Sequence, residues 1–451
     1  MRRVVITGLG AISPHGLGAG ALWDGLLAGR SSVAPLTRFD PSSFPSQIAG
    51  CIPPFKTTDY VPKSYRKATK IMARDIELAV VAADFAVRDA KLATKGILET
   101  SGDKILAEGF TKPNPTRTGC NIGAGLICAD MDELTAALAQ AKDPDGSLSL
   151  QRWGKSEDPN KTSGMDTLTP LWLLKYLPNM LACHVSIIHE TQGPSNTITC
   201  AQASAGLALA EACRSIQRGN ADVALVGGGE SKVHPMGLLR WSLLERLSTA
   251  NDTPTEACRP FDEGARGTVL AEGGGVLVIE ELEHAQARGA TIYAEVVGLG
   301  SSANADSCSD VTQPDPKGEA VAAAITKALK RAGIKAEEVG MIVPPGYGIA
   351  AHDRADKAAL ELAFGAALKQ IAVVPLRGGI GDCGAGAQAL DLVGAAKALQ
   401  QQIIPPAVNC PHPIGGLQVP QHAKPGALKY AVVVASALGG QNSAIVLKRY
   451  E

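Results

Sequence analysis

Hydrophobic positions along this chain follow two rhythms. Short apolar runs closed by glycine read as strands, and longer stretches with apolar residues three and four apart read as helices. Arg3–Gly8 is a compact strand ending in glycines, followed by a helix near Ala21–Ala28. Asp75–Ala90 carries alanine, valine and isoleucine at helical spacing; Thr116–Gly123 predicts a strand and Met131–Ala141 a helix. Lys142–Met165 is rich in Asp, Gly, Ser, Lys and Pro, the composition of a surface insertion. From Leu171 to Ile188 apolar residues occupy most faces of one long helix, the pattern of a buried or interfacial element.

The alternation continues with a strand at Thr197–Ala201, a small-residue helix at Ala203–Arg218 and a strand at Ala221–Gly227. Two apolar runs around Glu272 and Gly273–Gly275, within Thr268–Glu280, predict a hairpin. After Thr291 come helices at Glu319–Ala332, Ala355–Phe364 and Gln388–Gln401, a strand at Gly340–Val343, and closing strands at Tyr430–Ala435 and Ser443–Lys448. Such alternation implies parallel sheets covered by helices. Two successive blocks of it suggest two similar halves, divided as 1–255 and 256–451, with no sequence repeat legible between them.

Composition narrows the class. At 451 residues the chain can bury two domain-sized cores. Hydrophobic residues are 45% and charged residues 19%, an ordinary globular balance. Lys+Arg number 43 against 44 Asp+Glu, which removes the footprint of a nucleic-acid binder but leaves room for a local basic patch. Ten cysteines lie singly, with no CxxC pair and no zinc spacing, as in a reduced cytosolic protein. The N-terminus MRRVVITGLG lacks the long apolar stretch of a signal peptide. No apolar run reaches the ~18 residues of a membrane span. A cytoplasmic protein without metal or cofactor is expected. Gly8–Gly10 is a lone GLG without the third glycine of a dinucleotide fingerprint, and no GK[ST] follows Gly273–Gly275.

Several segments together resemble the β-ketoacyl-carrier-protein synthase family. They are VVITGLGAISPHGLG, HETQGPSN, NADVALVGGGES, the stretch from Ala257 to Gly298, IIPPAVN and ALGGQNSAIVLKR. The resemblance covers nearly the whole chain in order, apart from apparent insertions near Ile97–Pro115 and Lys142–Met165. It implies a thiolase-like α/β fold: two similar halves in five layers, α-β-α-β-α, in a dimer built through the strand near Thr197. The helix at Leu171–Ile188 would then lie by the acyl channel and the dimer interface.

A condensing enzyme needs a thiolate to take the acyl group and two imidazoles to stabilise the enolate oxygen. The family cysteine stands eight residues after the proline of a GP pair, and counting from Pro194 reaches Gln202. A primary amide has no dissociable nucleophile. The first histidine's HGT motif corresponds to VPPGYGIAAHDRAD, with Pro345 at the histidine; the second corresponds to GGIGDCGAGA, with Ile380 there. The family lysine has no clear counterpart, since Arg377 does not align without a gap. The C-terminal loop reads Ala437, Leu438, Gly439, Gly440, where condensing members carry a phenylalanine.

Gln202, Pro345 and Ile380 therefore mark the reacting positions, with Cys200, Asp382, Cys383 and Leu438 as further pocket candidates. Cys200 reads better as a satisfied buried thiol than as a displaced nucleophile. His352 reads as a helix-start or surface histidine. Glu230, Arg259, Asp262 and Glu272 match family positions that fix loops. The resemblance implies a chain-length-factor-like partner of an active ketosynthase, or a homodimer, that meets acyl carrier protein. A malonyl-carrier decarboxylase and a thiolase-fold enzyme with altered acyl chemistry are the alternatives.

Overall fold

The structure, a computed structural model, describes residues 2–156, 162–304 and 313–451. Ten strands carry it. The first five are β1 (Val4–Ser13), β2 (Thr118–Ala124), β3 (Ser195–Ile198), β4 (Val223–Ser231) and β5 (Glu272–Glu281). The second five are β6 (Ala294–Ala303), β7 (Val339–Val343), β8 (Ala372–Val373), β9 (Tyr430–Ser436) and β10 (Gln441–Arg449). Six helices complete the frame: α1 (Arg74–Asp89), α2 (Met180–His189), α3 (Ser204–Gln217), α4 (Glu319–Ala332), α5 (Ala350–Phe364) and α6 (Ala387–Gln401).

Each half runs β-α-β-α-β-α-β-β. The first five strands lie in the order β1-β5-β4-β2-β3 and the second five in the order β6-β10-β9-β7-β8. Antiparallel and parallel pairings fall at the same places in both. Only Val4–Ile6 of β1 meets Ala294–Val296 of β6, so a short seam joins the sheets. Helices α3 and α6 touch each other and both sheets, α1 and α2 cover the first sheet, and α4 and α5 cover the second. The result is the five-layer thiolase-like arrangement.

The two halves share one packing device that is visible in the residues. In β1, a Cβ added at Gly8 or Gly10 would stand 2.4 or 1.9 Å from the carbonyl oxygens of Ala86 and Ala82 on α1. In β6, Gly298 and Gly300 stand in the same relation to Ala328 and Ala324 on α4, at 2.3 and 1.9 Å. A Gly-Leu-Gly run against two alanines one helical turn apart lets helix and sheet backbones touch, which no larger side chain permits.

Three expectations need correction. Residues around Gly273–Gly275 form no hairpin; β5 runs straight through them, paired with Gly227–Ser231 of β4. These glycines allow close approach rather than reversal: a Cβ at Gly227 would lie 1.9 Å from the Gly275 oxygen, and one at Gly386 2.1 Å from the Gly273 oxygen. Because β5 pairs inside the first sheet, the change of half falls between Glu281 and Ala294, later than the expected division at 255/256. The long helix at Leu171–Ile188 is broken into a 3₁₀ segment, Trp172–Tyr176, and α2. Pro178 accounts for the break, since the residue before a proline is driven to extended backbone, and Leu177 sits at φ −85°, ψ 121°. Of the surface excursion expected at Lys142–Met165, residues 157–161 lie outside the described residues. No helix among the described residues is long and apolar enough to cross a membrane.

Candidate functional site

The elbow that carries Gln202 forms where β3 ends and α3 begins. Ala201 takes φ +46°, a left-handed conformation that an L side chain adopts at a cost, and swings the chain from strand to helix. Ser204 pins this turn: its hydroxyl accepts from Cys200 N at 2.8 Å and donates to the Ala201 oxygen at 2.6 Å. Gln202 is thereby placed at the buried start of the helix, 1% exposed. Its Nε2 donates to Asp382 Oδ2 at 3.0 Å, while its Oε1 has no partner.

One loop of the second half meets this elbow through Asp382, and a second is tied to that loop through Arg377. After β7 the chain passes through Pro345, buried, to Tyr347. Asp353, at the start of α5, fixes that loop by accepting from Tyr347 N and Gly348 N at 2.9 and 3.1 Å and from Phe261 N at 2.9 Å. After β8 a short turn, Arg377–Ile380, buries Ile380 and delivers Asp382 and Cys383, both 0% exposed. Arg377 ties the two loops together. Its guanidinium carbon lies 4.6 Å from the centre of the Tyr347 ring, and its Nε is 3.9 Å from Asp382 Oδ1. Tyr347 in turn donates its hydroxyl to the Ser436 oxygen, at the base of the loop that bears Leu438.

The electrostatics of the site are those of a closed charge cluster. Burial works against charge on Lys232, but Glu230, with its Oε1 3.6 Å from Nζ, and Asp382 outweigh it and raise its pKa. Glu230 also accepts from Ala385 N at 2.7 Å, which holds the loop after Cys383. Burial pushes the thiols of Cys200 and Cys383 upward, Cys383 far upward. A reactive cysteine needs the opposite shift. Neither has the surroundings of a nucleophile.

The remaining expected residues divide into scaffold and periphery. Asp262 accepts from Arg259 at 2.9 Å and from His412 N at 2.8 Å. Glu272 is fully buried; burial would raise its pKa, but Arg38 and Arg74 bring it down to about 2. His352 is not at a surface. It is 7% exposed, accepts from Arg246 at 2.9 Å through Nε2, and is held neutral by burial and by Arg246, with a pKa of about 4. With Asp356 and Leu438 it lines a cavity of only about 50 Å³, beside the reacting positions rather than among them. A larger cavity, about 680 Å³, opens near the ends of β2 and β4 among Arg38, Phe55, Arg74, Cys128, Lys175 and His234. Its lining contains none of Gln202, Pro345, Ile380 or Asp382.

Arg377, Tyr347 and Lys232 are the residues that the sequence pattern undervalues. The available signal was Arg377 itself, a cation inside the apolar, glycine-rich stretch PLRGGIG. Among the described residues no group of three or more His, Cys, Asp or Glu side chains is arranged to hold a metal.

What this arrangement lacks is chemical. The elbow presents an amide, and Pro345 and Ile380, expected from the sequence at the two histidine positions, offer only a pyrrolidine and a sec-butyl group. No side-chain N–H or O–H at those three positions could polarise a thioester except the Gln202 amide, already donated to Asp382.

Comparison with known proteins bears on the whole chain. The sequence model of the β-ketoacyl synthase N-terminal domain matches residues 1–285, and that of the C-terminal domain matches residues 293–411. The chain is 33% identical to a 3-oxoacyl-[acyl-carrier-protein] synthase 2 of Coxiella burnetii over 451 residues, 99% of each chain. It is 31% identical to the protein of the same name from Vibrio harveyi, over 452 residues and 99% of each chain. Among solved structures it resembles the ishigamide ketosynthase/chain length factor, with TM-score 0.79 and 28% identity over the full length of both chains. A β-ketoacyl synthase from Burkholderia phymatum superposes with TM-score 0.82 at 25% identity, again over both full chains.

Proposed function

Because the chain belongs to the β-ketoacyl synthase family of fatty-acid and polyketide biosynthesis, we propose that it is a non-condensing partner of the chain-length-factor type. It would pair with an active ketosynthase. The observation that carries this reading is the site itself: Gln202 is buried and tied to Asp382, and Pro345 and Ile380, which the sequence resemblance aligns with the two histidines, are buried and carry no donor. Nothing there can hold an acyl group or stabilise an enolate oxygen.

Two surface features support a partner role. Strand β3 ends the sheet path, and among the described residues its outer edge has no strand partner. Exposed apolar side chains lie on its neighbours: Leu126, 67% accessible, follows β2, which pairs with it, and Ile187, 51% accessible, is on α2, which packs against it. An unpaired edge with exposed apolar residues on its neighbours is the surface that a second chain of this fold would cover. On the first half, Lys56, Lys63, Arg66, Lys67 and Lys70 are exposed and form no ion pair among the described residues. That stretch suits an acidic carrier protein. The solved relative named as a ketosynthase/chain length factor agrees with the pairing.

The test is co-expression with an intact ketosynthase of the family and its carrier protein. The two chains should co-purify as a heterodimer, and condensation by the pair should fall to background when this chain is omitted. A stable homodimer that leaves every such ketosynthase unaffected would sink the proposal. The glutamine at the elbow also fits a malonyl-carrier decarboxylase. Mass measurement of malonyl-carrier protein after incubation decides that alternative, and we expect no loss of carbon dioxide.

A further inference from the structure

We propose that a cavity of about 460 Å³ at the far end of α3 binds a small phosphate ester with an apolar body, in the size class of a nucleotide. Its volume lies within the ~300–1,000 Å³ usual for small-molecule sites. The cavity sits where the seam between the two sheets stops. Strand β1 pairs with β6 only as far as Val296, and the buried Val296 and Leu299 with the half-buried Val297 give the cavity an apolar wall. Arg214, Gln217 and Arg218 from the end of α3 and Arg331 from α4 complete the lining. Helices of different halves thus bring three guanidinium groups and one amide to a single hollow.

Few of these donors are spent inside the chain. Among the described residues the side chains of Arg218 and Gln217 form no ion pair and no hydrogen bond. Arg331 gives Nη1 to the Leu299 oxygen at 2.9 Å, which fixes it beside the apolar wall. Arg214 has Glu211 at 3.5 Å, so three guanidinium charges less one carboxylate leave two positive charges uncompensated at the hollow. Cations often collect at helix C-termini because the exposed carbonyls attract them. Here those carbonyls are already served: in α3 by Arg218 N, Gly219 N and Arg2 Nη1 at 3.0, 2.9 and 3.2 Å, in α4 by Gly333 N and Ile334 N. Arginine forks match phosphate oxygens in two parallel bonds, and their flat faces stack on rings. The valine and leucine wall adds a surface that an inorganic ion could not use.

The hollow is separate from the reacting positions. Gln202 precedes the first turn of α3 and Gln217 closes its last, roughly 20 Å apart at 1.5 Å per residue. The inference does not depend on the partner reading, since a chain that never meets a ketosynthase would bind the ligand as well.

Titration calorimetry of the full chain with ADP, adenosine and inorganic pyrophosphate tests it. One saturable ADP site per chain is expected. Adenosine and pyrophosphate should each bind at least about tenfold more weakly, because each lacks one half of the ligand. Arg218→Ala and Arg331→Ala should each weaken ADP about tenfold, the loss of a charge-assisted hydrogen bond. Lys327→Ala is the control: it removes an exposed cation of α4 that does not line the cavity, and it should bind ADP as the wild type does. All three side chains are exposed, so these variants keep the fold. Absence of saturable ADP binding overturns the proposal. So does equal weakening in Lys327→Ala, the mark of diffuse charge attraction, and so does pyrophosphate binding as tightly as ADP, which would leave the apolar wall without a role.

Discussion

At the scale of single residues, the proposed loss of condensation chemistry rests on several positions, so restoring one should restore nothing. Gln202→Cys would place a thiol at a fully buried elbow beside Asp382, surroundings that raise a thiol's pKa rather than lower it. Pro345 and Ile380 would still offer no donors. We expect condensation to stay at background, and iodoacetamide to label the new cysteine more slowly than a free thiol, both read by mass spectrometry. Rapid alkylation with product formation would show that the pocket is more open than its burial implies. Asp382 is the more sensitive position. It accepts from Gln202 and is the nearest counter-charge to Arg377. Asp382→Asn leaves a buried guanidinium without compensation, and the expected loss is about 3 kcal/mol in urea unfolding. The sequence made Gln202, Pro345 and Ile380 visible because each sits in a recognisable frame. It showed Arg377 as a lone cation in a glycine-rich stretch but not its role, since a buried cation has no periodicity and its partners are distant in the chain.

Among elements, the instructive case is Gly-Leu-Gly, which occurs at Gly8–Gly10 and again at Gly298–Gly300. Read as a nucleotide fingerprint it is incomplete. In the fold the two copies are the surfaces on which α1 and α4 lie, and the pair is the internal repeat that the chain otherwise conceals. Its signal was available as two GLG runs, each followed by alanines four apart (Ala82 and Ala86, then Ala324 and Ala328). Gly10→Ala and Gly300→Ala each drive a methyl group to 1.9 Å from a helix carbonyl oxygen. Both should therefore destabilise by a similar amount, about 1–3 kcal/mol as overpacked sites do. Gly20→Ala is the control: it lies in the helix Ala19–Leu27 with nothing within 4 Å of the added carbon. That change should stabilise by about 0.5–1 kcal/mol. Unequal effects at residues 10 and 300 would show that the halves do not share this packing. The hairpin at Gly273–Gly275 and the unbroken helix at Leu171–Ile188 were misread for related reasons. A glycine run looks alike whether it turns or lies flat, and one proline outweighs an apolar pattern.

For the molecule as a whole, buried carboxyl groups of two kinds set the response of stability to pH. Burial raises Asp353 and Asp391 to about 7 and Asp356 to about 8, so the folded chain holds their protons where the unfolded chain, near 3.8, has released them. The folded state then binds more protons between about pH 4 and pH 8, and stability must fall as pH rises through that window. Glu272 acts in the opposite sense. Its folded pKa of about 2 lies below the ordinary 4.5, so its contribution is present above pH 4.5 and lost as pH falls toward 2. Together these limbs place the maximum a little below about pH 4, where the two windows meet, well below the neutral optimum of many proteins. Urea midpoints measured from pH 4 to 8.5 should decline steadily on the alkaline side. Asp356→Asn should flatten part of that decline, because the amide keeps an acceptor for Ser436, whose hydroxyl lies 3.2 Å from Oδ1, and cannot ionise. A midpoint independent of pH across the window would mean that these aspartates are hydrated in solution, and that α5 and α6 are wetter at these positions than their burial indicates.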